Sequence, residues 1–184
     1  MHIIEGWLTS AERIPSPNFN ERPAHRSPSL LVIHNISLPP GQYGGGYVER
    51  FFQNSLDSTE HPFFEEIKAL QVSSHFFIRR NGDIVQFVST DERAWHAGVS
   101  EFQGEDNCND FSLGIELEGT DTDPYEPAQY QSLTKLTKAL MAAYPLITTE
   151  RIAGHSDIAP DRKTDPGPAF SWAEYRSALI KNEL

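Results

Sequence analysis

The longest regular pattern of apolar positions lies in residues 127–144, where Tyr130, Leu133, Leu136, Leu140, Met141 and Tyr144 recur at three- and four-residue steps. That spacing sets them on one stripe of a helix, and Pro127 suits a first turn, where the missing N–H has no intrahelical partner anyway. An amphipathic helix packed on a sheet is therefore expected. The strand signals are of two kinds. Residues 30–34, Leu-Leu-Val-Ile-His, are apolar without alternation, which fits a central strand covered on both faces. Residues 111–118 alternate instead, so Leu113, Ile115 and Leu117 face one way and Gly114, Glu116 and Glu118 the other. Two β-rich runs, residues 74–80 and 83–88, are joined by Asn81-Gly82, the pair that a two-residue type I′ turn needs for its two positive φ values. Adjacent antiparallel strands follow from that.

Weaker patterns fill the gaps. Residues 47–54 and 62–70 carry apolar positions at mixed helical spacing and read as short helices. Pro15, Pro17, Pro23 and Pro28 break any helix across residues 9–29, which are expected to form an extended arm over the surface. The Gly-rich stretch 37–46, directly after His34, is a candidate wall or lid, with Gly44, Gly45 and Gly46 its most flexible part. Ser171-Trp172-Ala173-Glu174 has the form of a capping box opening a C-terminal helix. Residues 151–168, rich in Gly and Pro, are expected to run as neither helix nor strand but as a shaped loop.

Composition narrows the classes. At 184 residues and 38% hydrophobic content the chain suits one domain, 1–184, with one core, and no repeat or linker divides it. A net charge of −11 without any run of Lys or Arg excludes a phosphate-tracking surface, so no nucleic-acid partner is expected. Local groups would have to hold an anionic ligand. Cys108, the only cysteine, excludes an internal disulfide and suits a reducing compartment. The opening Met1-His-Ile-Ile-Glu-Gly-Trp7 has no basic region followed by a long apolar one, and no window is long enough to cross a bilayer. The expectation is a cytoplasmic monomer without membrane contact.

Candidate chemistry concentrates in residues 151–168, which hold His155, Lys163 and Asp165. Imidazole and carboxylate are both zinc ligands, and a catalytic zinc takes three protein ligands and keeps one position open. His34 and Glu116 are both candidates for the third. Each residue also has a plain structural reading: His34 as a hydrogen-bonded core histidine, Asp165 as a turn former before Pro166, and Glu116 as half of a salt bridge with Lys163. Glu116 is the sharpest anomaly, since a carboxylate on a strand flanked by apolar residues must be paired, protonated or used. Together the five residues make a set for metal-assisted hydrolysis. His75 and His96 are ligand candidates too, though backbone or substrate partners fit them better. Trp95 suits either the core or stacking on a sugar. His2, His25 and His61 lie in surface segments and are given no role.

Four segments, Val32-Ile-His-Asn-Ile-Ser37, Ala94-Trp-His-Ala-Gly-Val-Ser100, Phe111-Ser-Leu-Gly-Ile-Glu-Leu-Glu-Gly119 and Gly154-His-Ser-Asp-Ile-Ala-Pro-Asp-Arg-Lys-Thr-Asp-Pro-Gly-Pro168, closely resemble the zinc N-acetylmuramoyl-L-alanine amidases of the peptidoglycan recognition superfamily. The likeness runs from Glu5 to Phe170. It implies an α/β (mixed α+β) fold with a central mixed sheet flanked by helices. It further implies zinc on His34, His155 and Asp165, with Glu116 and Lys163 as the catalytic pair and Asn35 and Trp95 near the substrate. The reaction implied is cleavage of the amide between the lactyl group of anhydro-muramic acid and the L-alanine of a muropeptide. Gln71 and Asn107 stand where relatives carry arginines that hold stem-peptide carboxylates, so the resemblance does not carry over how the peptide end is gripped. Two alternatives remain: a module that binds muropeptide without cutting it, which would lack a ligand of this set, and an amidase acting on intact peptidoglycan. No His-Glu-x-x-His helix exists for a zinc peptidase.

Overall fold

Two seven-residue strands, β2 (Leu30–Ile36) and β5 (Ser112–Glu118), form the middle of the molecule, side by side and parallel. The computed structural model describes residues 1–180. With β1 (Glu12–Arg13), β3 (Phe76–Ile78), β4 (Ile84–Gln86) and β6 (Ile152–Gly154) they make a six-stranded sheet in the order β6-β2-β5-β3-β4-β1. Every pairing is parallel except that of β3 with β4, so the sheet is mixed.

The apolar patterns decide which face is covered by what. Leu113, Ile115 and Leu117 of β5 and Leu31 and Ile33 of β2 pack in one core with Leu133, Leu136 and Leu140 of α3 (Pro127–Ala143) and Tyr175 of α5 (Trp172–Ile180). This is the amphipathic helix of residues 127–144, on its sheet. At its entry the Glu126 amide is donated to Gln129 Oε1 (3.0 Å) and the Gln129 amide to the Glu126 carbonyl (2.9 Å). Buried Gln129 also donates to the carbonyls of Ile78 and Glu118. The opposite face carries two separate apolar clusters. One holds Phe51 and Phe52 of α1 (Tyr47–Phe52) and Phe64 of α2 (Pro62–Ile67) against Phe77 and Val85. The other gathers Leu30, Val32, Cys108, Phe111 and Ile158 of α4 (His155–Ile158). Between them this face is polar: Ser112, Gly114 and Glu116 of β5 and His34 of β2, with Glu116 in register with His34.

Three expectations need correction. The Asn81-Gly82 turn is not type I′. Only Gly82 has positive φ (88°), Arg79 pairs with Asp83 across three intervening residues, and Asn81 Oδ1 accepts the Asp83 amide. This is a type I turn closed by a left-handed glycine, in which Asn81 serves through its side chain. The segment 151–168 is not all loop: it opens with β6 and one turn of α4. Gly154 closes β6 at its junction with α4, and Pro160, Pro166, Gly167 and Pro168 all fall after those elements. The arm of residues 9–29 does more than lie on the surface. Its β1 extends the sheet, residues 19–21 pair with residues 92–94, and Arg22 donates to the carbonyls of Asn109, Asp110 and Ser112.

Candidate active site

His34 is near the end of β2 and His155 is the first residue of α4 directly after β6, and the parallel pairing of these two strands brings their C-terminal ends together. Asp165 arrives from the segment after α4, whose return is fixed by the bond from the Ser156 amide to the Asp165 carbonyl (3.0 Å). Gly154 is required at the turn into α4, because a Cβ there would lie 2.9 Å from Pro166 Cδ. Gly167 likewise sits at φ 78° with its missing Cβ 2.2 Å from Asp121 Cα. The result is a triangle. His34 Nδ1 is 2.9 Å from His155 Nδ1 and 3.0 Å from Asp165 Oδ2, and His155 Nδ1 is 3.1 Å from the same oxygen.

That triangle fits a divalent metal on the chemistry of its donors. His155 Nε2–H is donated to the Ala97 carbonyl (3.1 Å), which leaves its Nδ1 as a lone pair aimed at the centre. Two imidazole nitrogens and a carboxylate oxygen so oriented attract a cation. Three tetrahedral ligands at about 2.0–2.1 Å from zinc are roughly 3.3 Å apart, close to the observed edges. Burial pulls the His34 imidazole down to about 4, so it is neutral and able to ligate. Burial alone would raise the Asp165 carboxyl, but its bonds with His155 and His34 outweigh that and hold it well below the usual range.

Glu116 points into the same space from β5 and is 8% exposed. Its Oε2 has no hydrogen-bond partner, and burial pushes the carboxyl well above the ordinary range; the Asp165 charge adds to this and Lys163 opposes it. Glu118, on the same face, is a structural carboxylate: it accepts the Gly44 and Arg80 amides and anchors the Gly44–Gly46 loop. Lys163 lines the cleft together with the three triangle residues and Glu116. The cleft is about 720 Å³ and continues from this polar end into an apolar arm formed by Phe51, Phe63, Ile67 and Leu70. That volume suits a substrate of drug-like size.

Asn35 and Trp95 both line the cleft. Asn35 is held by Asp121 and the Pro166 carbonyl, and the Trp95 indole N–H by Asn20 of the arm. Gln71 is exposed between the cleft residues Leu70 and Val72, and Asn107 is exposed in a left-handed conformation before a short 3-10 turn. His75 is not drawn into the triangle. Its Nδ1 accepts the Gly114 amide, so its Nε2–H is donated to the Glu92 carbonyl, with Arg22 alongside at 3.1 Å. His96 is the residue the sequence undervalued. Its Nδ1 lies 2.9 Å from His34 Nε2 and its Nε2 3.1 Å from Ser112 Oγ. The signal for it was Gly114: a Cβ there would meet the His96 ring at 2.6 Å, so the room left on β5 is filled by that ring.

Comparison with known proteins bears on the whole chain. A family model for N-acetylmuramoyl-L-alanine amidases matches residues 24–168, which takes in every residue of the triangle as well as Glu116 and Lys163. The chain belongs to the N-acetylmuramoyl-L-alanine amidase family. This amidase is 56% identical over 181 residues, 98% of each chain, to the 1,6-anhydro-N-acetylmuramyl-L-alanine amidase AmpD of Escherichia coli (strain K12). A crystal structure of a selenomethionine AmpD derivative superposes with a TM-score of 0.95 at 55% identity, covering 97% of this amidase and 99% of that chain. AmpDh3 from Pseudomonas aeruginosa, solved in complex with an anhydromuramic pentapeptide, is 32% identical with a TM-score of 0.60, over 82% of this amidase and 59% of its own chain. The fold is that of AmpD, a mixed α/β domain with a central mixed sheet, and the amidase is a hydrolase.

Proposed function

We propose that this amidase is a zinc hydrolase cleaving the amide between the lactyl group of 1,6-anhydro-N-acetylmuramic acid and the L-alanine of the stem peptide, in the turnover of cell-wall fragments. The observation that carries this is the convergence of His34, His155 and Asp165 within hydrogen-bond distance of one another, beside a buried Glu116 whose Oε2 has no hydrogen-bond partner. The substrate class is supported by the AmpD relatives at 56% identity and by the anhydromuramic pentapeptide held by AmpDh3.

His34, His155 and Asp165 would hold the metal. When bound, zinc would supply a Lewis acid for the amide carbonyl and bring the pKa of water toward about 7. Glu116 takes a proton from the attacking water and delivers it to the alanine nitrogen as the C–N bond breaks, leaving a lactyl carboxylate and a free amine. Its raised pKa matches it to both halves of that transfer. Lys163 presents its charge to the oxyanion. Asn35 and Trp95, on the cleft wall, position the muropeptide. Every group in this scheme comes from one chain, so the site needs no residue from a partner subunit, and the free, buried Cys108 suits the reducing cytoplasm.

The test is mass spectrometry of an anhydro-muropeptide digest with and without chelator. Release of anhydro-muramic acid and free peptide, abolished by chelation and restored by zinc, is expected. Tight binding without cleavage would make the protein a recognition module instead, and preference for intact sacculus would move its substrate.

A further inference from the structure

We propose that His96 is a positioning residue for the metal centre: its Nδ1 accepts the Nε2–H of His34, and its own Nε2–H is donated to Ser112 Oγ. The inference rests on the zinc site described above. The two ligating imidazoles are held in different ways. His155 gives its one N–H, on Nε2, to the Ala97 carbonyl, a group that can only accept, so its tautomer is fixed by one contact. The partner of His34 Nε2 is another imidazole, 2.9 Å away, which can either accept or donate. His34 offers a bare Nδ1 to the metal only while His96 Nδ1 accepts, and that requires the His96 proton to sit on Nε2, facing Ser112 at 3.1 Å.

The ring is fixed for this task. Its face packs on Gly114, where a Cβ would be 2.6 Å from the ring. The His96 amide is donated to Asn109 Oδ1 at 3.1 Å, and the Ala97 amide to the same oxygen at 2.8 Å. Asn109 therefore sets the backbone carrying both second partners, the His96 ring and the Ala97 carbonyl. His96 is 8% exposed, so little water reaches the contact to replace it. Ser112, Gly114 and Glu116 alternate along one face of β5, which so supplies in turn the acceptor for the relay, the room for its ring and the general base.

The test uses full-length protein, stripped of metal and titrated with zinc against a chromophoric chelator. His96→Leu removes the acceptor and should weaken zinc binding by about tenfold to a hundredfold, the usual cost of losing a partner behind a ligand. His96→Asn places Oδ1 near the Nδ1 position and should stay within about threefold of the parent. Ser112→Ala keeps the ring and should weaken binding by roughly threefold to tenfold. In the zinc-loaded parent, long-range proton–nitrogen spectra of the imidazoles should show His96 protonated on Nε2 alone. Leucine and parent binding zinc equally overturns the proposal. Equal losses for leucine and asparagine overturn it too, by marking ring packing rather than the hydrogen bond. Should the leucine variant fail to fold, an unchanged affinity in Ser112→Ala or a His96 proton on Nδ1 does so. Failure of the parent to bind zinc is a separate result that removes the metal reading itself.

Discussion

A buried carboxylate oxygen without a hydrogen-bond partner is kept in a fold at the expense of stability, and Glu116 has such an atom in Oε2. Its pKa is raised in the folded protein, so between the unfolded value and the folded one the native state binds more protons, and stability falls as pH rises through that window. Replacing the carboxyl with an uncharged amide removes the effect. Metal-free Glu116→Gln should therefore melt at least about 2 °C above the parent at pH 7.5, with the gap closing toward pH 4, as read by calorimetry. The same variant should lose about a hundredfold to ten-thousandfold in amide hydrolysis while retaining zinc. Loss of zinc with a rate restored by remetallation would remove Glu116 from the proton-transfer role. Asp165→Ala is its counterpart: it takes one corner from the triangle and should leave the purified protein nearly free of zinc by atomic absorption, whereas full metal content would strike Asp165 from the ligand set.

Among the elements, β5 makes the largest contribution to function, because its two faces do different work. Leu113, Ile115 and Leu117 are in the core under α3, and the alternation that puts them there turns Gly114 and Glu116 toward the cleft. A one-residue slip in register would bury the carboxylate under α3 and expose the leucines. Gly114→Ala should show how closely the cleft face is built: the new methyl meets His96 and should cost about 1–3 kcal/mol by urea unfolding, with weaker zinc binding alongside. An alanine tolerated at no cost would mean that the ring moves freely. The alternation of residues 111–118 and the stripe of residues 127–144 were legible in sequence because each reports burial along one element. The turn at Asn81-Gly82 was misread because one dipeptide serves two turn types, and the pairing of Arg79 with Asp83 decides between them.

For the molecule as a whole, residues 9–29 hold the far side of the site together. Arg22 is half-buried, and that burial pulls its guanidinium down to about 10, yet it donates to three carbonyls around the start of β5 and lies against His75. Arg22→Met keeps the bulk and leaves those carbonyls unmet. It should lower stability by about 2–4 kcal/mol in urea titrations, where a surface arm would give almost no change.

The sequence alone determined which residue types could do the chemistry and which faces of the two long strands were buried, since periodicity is a local record of where water is excluded. It also held enough similarity in four segments to point to the family. Tertiary structure alone brought the side chains of His34, His155 and Asp165 within hydrogen-bond distance of one another, set His96 behind His34, and tied the arm into the sheet. Those contacts join residues as many as 131 positions apart, and pairing at that separation is set by strand order and packing, which no local pattern encodes.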